Sequence, residues 1–166
     1  MIVVADAGPI IHLSQVGLLR LLPALYQQIL VPDLVYNEVV VDGDLLPGSA
    51  ELRQSKWIEV VSHDPSASLF QLLRAQLDPG EAAAIWLAVT RKPALVLSDD
   101  RPARLTAEQL GLAVRGTLGI LVEAKRRGEI AELVPVVTDL RSQGVWLSDE
   151  IVQRILGEVG ERDPRA

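Results

Sequence analysis

Short apolar runs separated by helix-length segments constrain this chain more than any other feature. Residues 2–6, 28–31, 57–62, 94–98 and 112–115 are β-rich runs too short for helices and too apolar for loops. Between them, residues 10–22 repeat at helical spacing, with Ile10, Leu13, Val16 and either Leu19 or Leu22 facing inward. Pro32 and Asp33 open a second helix through residue 41, with Asp33 in capping position, and an irregular loop rich in Gly, Asp and Pro follows over 42–49. Further helices are expected over 67–77, 79–90, 102–110 and 117–127, the last stopped by Gly128. Helices over 130–142 and 148–159 finish the chain, the second fraying into a charged tail. Strands alternating with helices in this way predict an α/β chain: three α/β/α layers around a mainly parallel sheet of about five strands, joined by right-handed crossovers.

The chain has 166 residues, 49% of them hydrophobic and 23% charged, with no low-complexity linker. A single domain over residues 1–166 with a sizeable core is the expectation. Its longest apolar stretches are interrupted by Pro, Gly, Arg or Asp well short of the roughly 18 residues of a membrane span. The N-terminus lacks the basic flank and cleavage site of a signal peptide. A soluble, cytoplasmic protein with no membrane partner is expected. Cysteine is absent, which excludes disulfides, thiolate zinc sites and a cysteine nucleophile.

Two of the apolar runs end on an aspartate: Ile2-Val3-Val4-Ala5-Asp6 and Ala94-Leu95-Val96-Leu97-Ser98-Asp99. In a parallel α/β sheet, ligands bind at the carboxyl ends of the strands. With Glu38 and Glu81 at helix faces, these aspartates form a spread set of four carboxylates. Acidic groups gathered at one sheet edge repel one another unless a cation holds them, so the pattern points to a divalent metal. With no Cys, that metal must be held by oxygen or by the two histidines.

A net charge of −6 argues at first against a nucleic-acid partner. Its distribution weakens the objection, because residues 1–100 carry 6 basic and 12 acidic groups while residues 101–166 carry 10 of each. Two divalent ions offset about four of those negative charges. Arg101, Arg104, Lys125, Arg126 and Arg127 then remain to meet a polyanion, although Lys125-Arg126-Arg127 before Gly128 also reads as a favourable helix C-terminus.

Four segments carry a family resemblance. They are Val3-Val4-Ala5-Asp6-Ala7-Gly8-Pro9-Ile10-Ile11-His12-Leu13, Val31-Pro32-Asp33-Leu34-Val35-Tyr36-Asn37-Glu38-Val39, Leu77-Asp78-Pro79-Gly80-Glu81-Ala82-Ala83-Ala84-Ile85, and Val96-Leu97-Ser98-Asp99-Asp100-Arg101-Pro102-Ala103-Arg104. In order and spacing they resemble the successive motifs of PIN domains. The later Gly116-Thr117-Leu118-Gly119-Ile120-Leu121 is similar to a PIN-like branch close to the VapC-type toxins. The resemblance spans about residues 1–130 and is specific as a set.

It implies a metal-dependent endoribonuclease, the toxin of a toxin–antitoxin pair, with RNA as substrate, a protein antitoxin as partner and a homodimer as assembly. By the same resemblance Asp6, Glu38, Glu81 and Asp99 are the catalytic carboxylates and metal ligands for Mg²⁺ or Mn²⁺, with Asp100 accessory to Asp99. Arg101, Arg104 and Thr117 become candidates for substrate phosphate. Hard ions of this kind favour carboxylate and water ligands. In a two-metal arrangement about 3.5–4 Å across, one ion activates the attacking water and the other stabilises the leaving oxygen. The products are then a 5′-phosphate and a 3′-hydroxyl. Two departures stand out: Gly8 occupies a position where PIN domains often carry Ser or Thr, and the third acidic position is Glu rather than Asp.

Each residue also has a plainer reading. Asp6 either turns the chain into the next helix or serves the site. Glu38 is either an exposed helix residue or a ligand. Asp78-Pro79-Gly80-Glu81 has the form of a capping box, which accounts for Glu81 without a metal. Asp100 is the expected cap of the helix after it, leaving Asp99 for the site. Thr117 reads as a helix cap, while Arg104 faces either the site or solvent. His12 and His63, lacking a second histidine at metal spacing, read as structural, and Trp57, Trp86 and Trp146 as core or interface residues. Two other functions compete. A catalytically silent PIN-like module binds an antitoxin or RNA without cleaving it. A phosphatase or receiver domain is phosphorylated on Asp6, but Gly8 stands where such a phosphatase needs a second Asp, and a receiver's acidic pair is missing.

Overall fold

The structure, a computed structural model, describes residues 1–43, 45–92 and 94–166. Five parallel strands, β1 (Ile2–Ala5), β2 (Ile29–Pro32), β3 (Ile58–Val61), β4 (Ala94–Leu97) and β5 (Ala113–Arg115), form one sheet in the order β3-β2-β1-β4-β5. Alternate residues serve opposite faces, as the period of a strand requires. Val3, Ala5, Ile29, Val31, Leu95 and Leu97 enter one core, and Val4, Leu30, Ala94 and Val96 enter the other. On the first face pack α1 (Ala7–Gln15), α2 (Leu21–Tyr26), α8 (Thr117–Arg126), α9 (Val134–Ser142) and α10 (Asp149–Glu158); α5 (Ser68–Leu73), α6 (Pro79–Thr90) and α7 (Arg101–Gln109) cover the second. The three-layer parallel arrangement is the expected one. Strand order reverses between β1 and β4, so the crevice at their carboxyl ends is the switch point of the sheet.

Several boundaries differ from the periodicity. The helix expected over 10–22 is two helices. It starts earlier, at Ala7, because Asp6 accepts the Ala7 N–H at 2.7 Å. It ends at Gln15 because Gly17 takes a left-handed φ of 69°, closed by bonds from Gly17 N to Ser14 O and from Leu18 N to Leu13 O. The second helix, expected over 33–41, is α3 (Asp33–Tyr36) continuing as a π-helical segment over Asn37–Asp42. A short α4 (Ser49–Gln54) follows where no helix is expected; its only buried hydrophobic side chain is Leu52, too little to give a period. Asp44, inside the expected loop, lies outside the described residues.

The helix expected over 67–77 stops at Leu73, and the one expected from 130 begins at Val134. Glu161 accepts the Leu133 and Val134 N–H groups at 2.8–2.9 Å, so a carboxylate from the last residues caps α9. The tail is therefore not frayed: Glu161 also pairs with Lys125 at 3.0 Å, and Arg165 reaches Asp163 at 3.2 Å. Trp146 is exposed, outside any core, whereas Trp57 and Trp86 pack against the two cores. No helix of the described residues is long and apolar enough to cross a membrane.

Candidate functional site

The topology brings the sequence-predicted carboxylates to one edge. Asp6 follows β1 directly and stays in register with β4, its N–H donating to Leu97 O at 2.9 Å. Asp6 makes the expected turn into the next helix, since Oδ1 caps α1, while Oδ2 accepts the Ser98 hydroxyl at 3.1 Å. Burial raises its pKa to about 6 against the pull of these two bonds, with the charges of Asp78 and Glu38 adding to the rise.

Glu38 lies in the π-helical segment, where the backbone is locally widened, a feature often found at functional sites. Its Oε2 comes within 3.3 Å of where a Cβ on Gly80 would sit, so that glycine leaves room for Glu38 at the start of α6. Glu38 is exposed at the rim, yet partial loss of water, then the charges of Asp78 and Asp42, push its carboxyl above the ordinary range. Glu81 makes the capping box its sequence suggests, with Asp78 N donating to Glu81 Oε2 at 3.1 Å and Glu81 N donating to Asp78 Oδ1 at 2.9 Å. Desolvation is the main cause that pushes Glu81 to about 7, joined by the charges of Asp78, Asp100 and Asp6. Asp6, Glu38, Asp78, Glu81 and Asp100 thus share one field of negative charge.

Asp99 sits differently. Its Oδ2 accepts His12 Nδ1 at 2.7 Å and the Thr117 hydroxyl at 2.5 Å, and its Oδ1 accepts the Thr117 N–H at 2.6 Å. Burial raises the pKa of this carboxyl, but the bonds from His12 and Thr117 outweigh it, so the net shift is downward. Asp99 therefore caps α8 from outside the helix. Thr117 is not the cap that the sequence suggests, and both its donors are committed to Asp99 rather than left for a phosphate. Asp100 caps α7 as expected, accepting Ala103 N at 2.9 Å.

The cations divide into two groups. Lys125 pairs with Glu161, Arg126 with Glu158 at 3.4 Å and Arg127 with Glu123 at 2.7 Å, so the basic triplet is neutralised within the chain and does not face a polyanion unpaired. The side chains of Arg101 and Arg104, one turn apart on α7, make no hydrogen bond or ion pair among the described residues. Arg104 is half-buried, with Nη1 against Gly116 beside Asp99.

A family model for DUF3368, a PIN domain, matches residues 2–161. The chain belongs to the PIN domain family. Among solved structures, a PilT N-terminus domain protein, SSO1118, from the hyperthermophilic archaeon Sulfolobus solfataricus P2 is similar at a TM-score of 0.54 and 17% identity, covering 75% of this chain and 93% of that one. That likeness speaks to the fold. No curated protein matches the chain.

In this PIN domain the donor set suits a hard divalent cation. It is made of carboxylate oxygens, and the pKa values of Asp6, Glu38 and Glu81 are raised first by desolvation and then by the charges of neighbouring carboxylates, a cost that a cation would offset. As they stand, no three His, Asp or Glu side chains among the described residues form a group that could hold a metal ion. Three residues bonded to these carboxylates escape the sequence reading. Asp78 is legible only as a cap, Ser98 is hidden within a strand, and His12 reads as structural. The spacing of His12, one helical turn after Gly8 and on the same face, is the signal that it lies beside Asp99. His63, by contrast, donates from its backbone N and engages Asp33 Oδ1 through Nδ1 at 2.8 Å, a structural tie.

Gly116 gives a direct test of this crowding. A Cβ there would meet Asp99 Oδ1 at 2.9 Å and Arg104 Nη1 at 3.2 Å. Gly116→Ala is expected to displace both side chains while leaving the sheet intact. An unchanged Asp99–Thr117 contact in a crystal structure of the variant would contradict the packing described here.

Proposed function

We propose that this PIN domain is a metal-dependent endoribonuclease, with Asp6, Glu38 and Glu81 as the principal carboxylates, Asp99 and Asp100 beside them, and Mg²⁺ or Mn²⁺ as cofactor. The observation that carries this reading is the buried Asp6 at the sheet's switch point, its pKa raised to about 6 within a field of further carboxylates. A stability-driven chain would neutralise or remove such a group; a site that takes up a cation retains it. When bound, a divalent ion supplies an activated water and stabilises charge on the phosphodiester. The chain's own residues do the rest. Asp6 is oriented by Ala7 N and Ser98, Glu81 by Asp78 N, and Arg104, half-buried and unpaired, attracts and orients a substrate phosphate next to the acids.

End-labelled RNA incubated with the protein and Mn²⁺ is the test. Cleavage leaving 5′-phosphate and 3′-hydroxyl ends, lost in Asp6→Asn and weakened in Arg104→Ala mainly through KM, supports the proposal; cleavage that persists in Asp6→Asn contradicts it. The biological setting of this reading is a toxin–antitoxin pair, with the antitoxin covering the acidic edge.

A second reading has one observation in its favour. Asp99 already has three donors, and among the described residues no three ligands converge, which suits a catalytically silent module that binds an antitoxin or RNA. Such a module takes up no divalent ion at this edge.

A further inference from the structure

His12 is half-buried on α1, and its Nδ1 lies 2.7 Å from Asp99 Oδ2. One turn earlier on the same helix, Gly8 leaves a gap: a Cβ built there would lie 3.4 Å from both Asp99 Cβ and Asp99 Oδ2. A hydroxyl one bond beyond that Cβ would fall within hydrogen-bonding reach of the same oxygen. The chain places no side chain at Gly8, and the imidazole approaches Oδ2 from the next turn instead. Thr117 occupies the rest of the carboxylate, through its N–H on Oδ1 and its hydroxyl on Oδ2.

We propose that His12 is a positioning residue of the acidic site, fixing the Asp99 carboxylate from the next helical turn in place of any side chain at position 8. The inference rests on the reading that Asp99 serves a metal-binding edge. Partners that orient a ligating carboxylate set its geometry, and their removal typically costs about 10–100-fold in metal affinity. His12→Ala is therefore expected to weaken Mn²⁺ binding by about tenfold or more. His12→Asn, which carries an N–H donor where the imidazole has Nδ1, should stay close to the parent. Gly8→Ser combined with His12→Ala should recover most of the loss, because the serine hydroxyl reaches the oxygen that His12 has vacated.

The experiment is calorimetry of Mn²⁺ binding to the parent and these three variants, with thermal melts alongside to separate positioning from folding. Nitrogen NMR of the histidine rings, in protein without metal, is run in parallel. With only two histidines in the chain, the His12 signals are assignable by substitution. The expected result is a His12 Nδ1 signal displaced by the bond to Asp99 and relaxed in Asp99→Asn, affinity lost in His12→Ala with little change in melting temperature, and recovery in the other two variants. Mn²⁺ affinity unchanged in His12→Ala, or lost but not recovered by either His12→Asn or the double variant, overturns the inference and leaves the metal site standing. Absence of Mn²⁺ binding by the parent overturns the underlying reading, even where the NMR shows the His12–Asp99 bond intact.

Discussion

Asp6→Asn is expected to lose detectable Mn²⁺ binding and, without metal, to melt higher than the parent. The two effects have one cause. Asp6 is buried and its pKa is raised to about 6 from an ordinary 3.8, so at neutral pH the folded protein carries a carboxylate that would be more comfortable in water. The amide of Asn preserves the acceptor for Ala7 N and can donate to Ser98, yet has no charge to bury. At pH 7 the relief is on the order of 2–3 kcal/mol, or roughly 5–10 °C in Tm for a chain of this size.

The sign with pH follows. Between about pH 4 and pH 6 the folded state keeps a proton on Asp6 that the unfolded state has released, so parent stability falls as pH rises through this window and levels above it. Glu81, raised to about 7, extends the fall upward. Asp6→Asn should flatten the lower part of the curve. Thermal melts from pH 4 to pH 8 check this; a parent whose Tm climbs steadily from pH 4 to pH 6, with the same profile in Asp6→Asn, would show that Asp6 is not a buried strained carboxylate.

Asp99→Asn is expected to do the opposite. Asp99 receives three donors on its two oxygens, and replacing one oxygen with an amide nitrogen sets an N–H against His12 and Thr117 and weakens the side-chain cap that Asp99 provides to α8. The cost is on the order of 2–4 kcal/mol. Because the folded pKa of Asp99 is lowered, its contribution is fully present above about pH 3.8 and lost as pH falls through the folded value. The deficit of Asp99→Asn should therefore be largest at neutral pH and shrink in acid. A variant as stable as the parent at pH 7 would mean that the His12 and Thr117 contacts contribute little. Loss of metal binding in Asp99→Asn alone cannot be read as loss of a ligand, whereas in Asp6→Asn it can.

What was legible in the sequence, and what was not, follows from the range of the forces involved. The strands and their order of appearance are written in runs such as Ala94-Leu95-Val96-Leu97, buried on both faces, and the capping box Asp78–Glu81 is a local motif. Asp6 and Asp99 are visible as strand ends. Their different natures are not, because Asp99 is defined by His12, 87 residues away, and by Thr117, 18 residues away. The break at Gly17 is not legible because Leu18, Leu19, Leu21 and Leu22 continue an apolar pattern that conceals the left-handed turn. The neutralisation of Lys125 and Arg126 depends on Glu161 and Glu158 folding back, which no local pattern announces.

Calorimetric titration of Mn²⁺ into the folded parent at pH 7.5, beside Asp6→Asn verified as folded by circular dichroism, tests the central claim most directly. Binding by the parent, with a small proton release from Glu81, whose pKa of about 7 leaves a minor fraction protonated at this pH, and no binding by an Asp6→Asn protein that is at least as stable, is the predicted result. A folded parent that takes up no Mn²⁺, or an Asp6→Asn variant that binds as the parent does, would contradict it.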